Sequence, residues 1–122
     1  MSNVPKLLVV DDDQMMLDFA VQALTRIGFE PVASTNAESA LLVLKQDSDI
    51  RVGIFDMNLG CGLTGVELAD EVHSVRPDIG IVLTSGDHNL LHRVVQGIPY
   101  DIDILPKPYR LSTLREKLGH FT

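Results

Sequence analysis

The sequence predicts an α/β domain in which a parallel sheet is covered by helices on both faces. Three observations predict it. Short apolar runs of strand length recur, and the first and third of them stop abruptly at aspartate. Between them lie segments whose apolar residues recur at helical spacing. The two kinds of segment alternate five times, with no repeat at a fixed period, and such alternation implies parallel strands joined by helices.

The first run, Lys6 to Val10, is apolar after one lysine and ends at Asp11-Asp12-Asp13, so it reads as a strand buried on both faces. A helix follows, with Met15, Met16, Phe19, Ala20, Ala23, Leu24 and Ile27 on its apolar side and Gly28 at its end. Asp13 can cap it, and Met15 and Met16 are expected to fill the core and its edge. Residues 30–35 form a weaker second strand. Asn36 caps a helix carrying Ala40, Leu41, Val43 and Leu44. Residues 51–56 make the third strand, again ending in an aspartate. A glycine-rich loop, Asn58 to Leu63, leads to a capping box of Thr64 and Glu67. The helix it opens carries Val66, Leu68, Ala69, Val72 and Val75 and ends near Arg76-Pro77. A fourth strand is expected over 79–84, a short helix over 87–96 and a fifth strand over 100–105. The last helix runs through Leu111, Leu114 and Leu118.

Composition sets the outer bounds. The 122 residues suit one domain, residues 1–122, with a core over about 6–120. A hydrophobic content of 45% is enough for a packed core. The net charge of −7 argues against direct contact with nucleic acid, whose phosphates reward Lys and Arg. No run approaches the roughly 18 apolar residues of a membrane span, and the first residues lack a secretory pattern. One cysteine, Cys61, excludes an internal disulfide and reads as an incidental thiol. Together these lead to an expectation of a cytoplasmic protein.

The polar residues fall at one edge. In a parallel α/β sheet, ligands bind beyond the carboxyl ends of the strands. There the sequence puts Asp11, Asp12 and Asp13, then Asp56, then Thr84 and Ser85, then Lys107. Two carboxylates about 4 Å apart repel by roughly 4 kcal/mol at an effective dielectric near 20, so such a cluster calls for a cation. Mg²⁺ suits it, because that ion takes oxygen ligands and no sulfur or imidazole cluster is offered. A divalent cation beside a free carboxylate, a hydroxyl and a lysine is equipment for phosphoryl transfer to the carboxylate. His88 and His92 stand four apart on a helix, but no third metal ligand accompanies them.

The strings LLVVDDD, FDMNL, LTS and PKP, each at a strand end and in this order, resemble the response-regulator receiver family of two-component signalling. The resemblance covers residues 6–120. It implies a flavodoxin-like (βα)5 three-layer sandwich whose five-stranded parallel sheet has the order 2-1-3-4-5. It implies Asp56 as phosphoacceptor, with Lys107 and Thr84 contacting the phosphoryl group. Asp12, Asp11 through a water, Asp56 and the backbone carbonyl of Asn58 would hold Mg²⁺, for which Mn²⁺ can substitute. Lys107-Pro108 would be a cis peptide. The donor would be a phosphohistidine on a histidine kinase or phosphotransfer protein. The domain would be a switch and not an enzyme, though it would assist its own phosphotransfer and dephosphorylation. Its output face would be helix four, strand five and helix five, through which a homodimer can form.

The resemblance has three departures. Gly60 replaces a usual proline, and the loop to Gly65 is one residue longer, a form similar to receivers of hybrid histidine kinases. Ile104 stands where the family carries Tyr or Phe, so Thr84 lacks its customary aromatic companion. Gly97-Ile98-Pro99-Tyr100 departs from the family's short turn, so the surface around helix four is expected to be remodelled.

Two other functions share parts of this pattern. A pseudo-receiver, an interaction module that no longer takes a phosphoryl group, would have the same fold, but every acceptor-site residue is present here. A haloacid-dehalogenase-type phosphatase also carries D-x-D after its first strand. Against it stand Met15 in place of the usual Thr or Val and a chain short for that fold and its cap.

Overall fold

The computed structural model describes residues 4–60 and 62–119. Five strands alternate with five helices: β1 (Lys6–Val10), α1 (Gln14–Arg26), β2 (Glu30–Ser34), α2 (Ala37–Gln46), β3 (Ile50–Asp56), α3 (Gly65–Val75), β4 (Gly80–Ser85), α4 (His88–Gln96), β5 (Asp103–Pro106) and α5 (Leu111–Leu118). All pairings are parallel, and the sheet order is β2-β1-β3-β4-β5. The expected flavodoxin-like arrangement is therefore present.

Alternation along each strand splits the core in two, because successive side chains point to opposite faces. Leu7 and Val9 of β1, with Val52, Ile54, Val82 and Leu105, pack against α1 and α5. Leu8 and Val10, with Phe55, Ile81 and Leu83, pack against α2, α3 and α4. This is why β1, β3 and β4 carry unbroken apolar stretches. Both faces are covered, so neither can be polar.

Capping residues stop and start the helices where the sequence placed them. Asp13 accepts from the backbone N–H groups of Met15 and Met16, and Asn36 accepts from that of Ser39. Thr64 and Glu67 complete a reciprocal capping box. Asp87 opens α4. At the other end of the sheet, the Arg76 guanidinium donates to the carbonyls of Leu44, Asp47, Ser48 and Ile50 and to the Asp78 carboxylate. It thus closes the carboxyl end of α2, whose last carbonyls have no helical partner.

Three expectations need correcting. β5 begins at Asp103, not near residue 100. The Tyr100 hydroxyl instead donates to Asp70 at 2.6 Å, and its ring stacks on His73 at 4.0 Å, so the segment after α4 is drawn onto α3 before the strand starts. Met15 is 82% exposed, and Phe19 is exposed as well. The face of α1 that meets the sheet is Leu17, Ala20, Ala23 and Leu24, a narrower stripe than the apolar residues suggested. Cys61 lies outside the described residues.

Candidate functional site

The register of the sheet builds the site. Val10 pairs with Phe55, so the next residues, Asp11 and Asp56, leave neighbouring strands side by side. Asp56 pairs with Thr84, and Ser85 pairs with Pro106, immediately before Lys107. Residues far apart in sequence thus emerge from one edge within a few ångströms.

Lys107 ties the cluster together. Its Nζ donates to Asp56 Oδ2 at 2.6 Å and to Asp11 Oδ2 at 2.9 Å. Asp11, Asp12 and Asp56 each present a carboxylate oxygen, and these oxygens lie within 4.8 Å of one another. Asp11 is 2% exposed and Asp56 7%, while Asp12 faces solvent. Backbone groups fix the two buried carboxylates further. The Asp13 N–H donates to Asp11 Oδ1 at 2.9 Å, and the Asn58 N–H donates to Asp56 Oδ1 at 3.0 Å.

Charge is out of balance here. Three carboxylates face one ammonium. Burial pushes the Asp11 carboxyl above its usual range, more than its bonds from Lys107 and Asp13 pull it down. Burial works to lower the Lys107 ammonium, but its hydrogen bonds to Asp56 and Asp11 outweigh that and hold it above its ordinary value. Lys107 therefore stays charged at neutral pH. The donor set is all oxygen and carries surplus negative charge, which is what a metal ion of the hard, oxygen-seeking kind requires.

The connection from β3 to α3, which frames the cluster, depends on glycine at two points. Gly60 has φ +73°, a conformation closed to proline, whose ring holds φ near −65°. A side chain added there would reach Asp12 Oδ2 at 3.2 Å. This accounts for Gly60 at a position where the family usually has proline. Gly65 lets α3 start against the end of β3, and a Cβ there would lie 2.1 Å from the Asp56 carbonyl oxygen.

Thr84 is 1% exposed, and its hydroxyl donates to the Leu105 carbonyl at 2.5 Å, away from Asp56. Lys107-Pro108 is cis. Tyr109 is buried beside the cluster, and burial pushes its phenol up to about 12. One further participant escaped the sequence reading. His88, weighed there only as half of a metal pair with His92, places Nε2 2.7 Å from the carbonyl of Lys107. Its position directly after the α4 cap was the one available signal.

Comparison with known proteins settles the family. The model of the response regulator receiver domain matches residues 7–119. The chain belongs to the response regulator receiver domain family. As a receiver domain of two-component signalling it is a signalling switch. Its sequence is 31% identical over 108 residues to the DNA-binding transcriptional regulator NtrC of Azospirillum brasilense, covering 88% of this chain but 22% of NtrC. It is 29% identical over 119 residues to a chemotaxis protein CheY homolog of Campylobacter jejuni, covering 93% of this chain and 88% of that protein. A response regulator receiver protein of Sinorhizobium medicae superposes with a TM-score of 0.84 at 25% identity, over 97% of this receiver and 94% of the other. Membership of this family leaves the phosphatase reading of Asp11-Asp12-Asp13 without support.

Proposed function

We propose that this receiver takes a phosphoryl group on Asp56 from a phosphohistidine on a histidine kinase or phosphotransfer protein. The observation that carries the reading is the Lys107 ammonium shared between Asp56 and Asp11 at the joint edge of β1, β3 and β5.

The residues divide the work. A carboxylate oxygen of Asp56 attacks phosphorus, and the P–N bond of the phosphohistidine breaks with its electron pair passing to the imidazole. Hydrogen bonds from Asn58 and Lys107 hold the Asp56 carboxylate at both of its oxygens, so it meets the donor already oriented. Lys107 remains cationic and offsets charge on the incoming phosphoryl oxygens. Asp11, Asp12, Asp56 and the carbonyl of Asn58 are the groups that would hold Mg²⁺, or Mn²⁺ in its place. When bound, the ion supplies further positive charge to the phosphoryl oxygens. Thr84 then exchanges its bond to Leu105 for one to the phosphoryl group, and the face of α4, β5 and α5 repacks around it. That face is also where two copies would pair. The same residues, with water as acceptor, would assist loss of the phosphoryl group.

Residues 6–120 act as one such receiver, working in the cytoplasm. Among the described residues no helix is long and apolar enough to cross a membrane.

The test is phosphotransfer. The chain is incubated with Mg²⁺ and acetyl phosphate, and separately with a phosphorylated histidine kinase, and the modified residue is located by mass spectrometry. Modification of Asp56, absent in Asp56→Asn and absent on chelation of the metal, is expected. An unmodified Asp56 under both conditions would favour the pseudo-receiver.

A further inference from the structure

The backbone of Lys107 is gripped from both sides by the segment that leads into α4. Its N–H donates to the Ser85 carbonyl at 2.9 Å, and its carbonyl accepts from His88 Nε2 at 2.7 Å. A carbonyl only accepts, so the imidazole must carry its proton on Nε2. The segment is itself braced, since the Asp87 N–H donates to Ser85 Oγ at 3.0 Å and Asp87 caps Leu90 at 3.0 Å. The residue whose ammonium touches Asp56 is therefore bonded through its own peptide to the first residue of α4.

Helix α4 is lightly held elsewhere. Among its residues only Leu91 is buried, whereas α1 and α3 each bury four. A helix held by one buried side chain, with Val95 half-buried beside it, follows what happens at its amino end, because little packing opposes a small shift. Ile104, three residues before Lys107, is apolar and half-buried against the α2–α3–α4 side of the core and has no polar side-chain group to pass on a change at Asp56.

We propose that His88 is a positioning residue that couples Lys107 to α4, so that charge arriving at Asp56 is read out as movement of that helix. The inference rests on the proposed phosphorylation of Asp56 and adds the route by which it reaches the surface. Lys107 responds to the new charge, its peptide carries His88, and His88 carries the amino end of α4. His88 touches no phosphoryl oxygen in this scheme. Its role is transmission only.

The experiment compares wild type, His88→Ala and His88→Gln by amide NMR, with Mg²⁺ alone and with Mg²⁺ plus beryllofluoride as the phosphoryl mimic. Gln retains a side-chain N–H that can donate to the same carbonyl; Ala does not. In wild type, beryllofluoride should shift amides around Asp56, Lys107 and Leu90–Gln96. In His88→Ala the shifts at Asp56 and Lys107 should persist while those of Leu90–Gln96 fall by about half or more, and His88→Gln should restore most of the loss. An undiminished α4 response in His88→Ala overturns the coupling role. So does a loss that Gln fails to restore, which would mark a merely structural effect. Absence of any beryllofluoride response in wild type would instead remove the phosphorylation reading. In that case the bond is read in the metal-free protein, where His88→Ala should move the Lys107 carbonyl ¹³C resonance and the wild-type imidazole should be the Nε2–H tautomer. Failure of either also overturns the inference.

Discussion

Gly65→Ala puts the joint between fold and site to a direct test. A Cβ at residue 65 would lie 2.1 Å from the Asp56 carbonyl oxygen, 2.7 Å from the Asp56 carbonyl carbon and 2.8 Å from Met57 Cα. All three are backbone atoms, so no side-chain rotation relieves the overlap. The first turn of α3 must retreat by roughly an ångström, and the bond from the Gly65 N–H to the Met57 carbonyl, 3.1 Å long, weakens with it. Overpacking of this kind costs about 1–3 kcal/mol, and the hydrogen bond adds about 1 kcal/mol. Against this, replacing glycine narrows the unfolded ensemble and returns about 0.4–1 kcal/mol. The expected net is a loss of about 2–3 kcal/mol, or roughly 8–12 °C in Tm for a domain of this size. The sign is what decides, because without the overlap the same change would stabilise. The chain has no tryptophan, so urea unfolding is followed by far-ultraviolet circular dichroism. Gly86→Ala serves as control. Nothing lies within 4 Å of a Cβ there and its φ is not positive, so a change within about 0.5 kcal/mol is expected. A Gly65→Ala protein as stable as wild type, or more so, would refute the close approach of α3 to Asp56. Phosphorylation of Asp56 should also slow in this variant, since the residue sits at the displaced joint.

Further perturbations test other parts of the molecule. Arg76→Ala should lose about 2–3 kcal/mol in the same urea assay, because four backbone carbonyls at the end of α2 and the start of β3 lose a charged donor. Arg76→Lys should recover at most about half, since an ammonium cannot fork between them; an unchanged midpoint would contradict this. The hydrogen bond from Lys6 holds the Asp47 carboxyl below its usual range. The stability this pair contributes is therefore present above the ordinary carboxylate pKa and is lost as pH falls through the lowered value. Urea midpoints of wild type and Asp47→Asn should differ by a constant amount near neutrality and converge in acid, and a gap persisting to about pH 2 would contradict the assignment. Lys107→Ala removes the ammonium that contacts Asp11 and Asp56, so Mg²⁺ should bind several-fold more tightly by calorimetry while the beryllofluoride response at α4 disappears. Weaker Mg²⁺ binding would count against the proposed site.

Much of the fold was written locally. Leu7–Val10 and Val52–Phe55 carry no polar side chain because both faces of their strands are covered, and that demand shows in a run of four residues. Asp13, Asn36 and Thr64 cap the helices that follow them through bonds spanning two or three residues, so they too are visible in sequence. The true start of β5 was not. Tyr100 is pulled onto α3 by Asp70, thirty residues earlier, and a partner at that distance leaves no local trace. Likewise Met15 looked like core, yet which side of α1 meets the sheet is decided by the crossing of helix and strands, not by which residues are apolar.

The site divides along the same line. That aspartates, a threonine and a lysine sit at strand ends is a property of the sequence alone, since strand length and polarity break there. That Lys107 bridges Asp11 and Asp56, that Thr84 faces Leu105 and that His88 holds the Lys107 carbonyl were decided only by the tertiary structure. These contacts join positions from 19 to 96 residues apart. Strand register and side-chain rotamers set them, and both are products of packing the whole sheet.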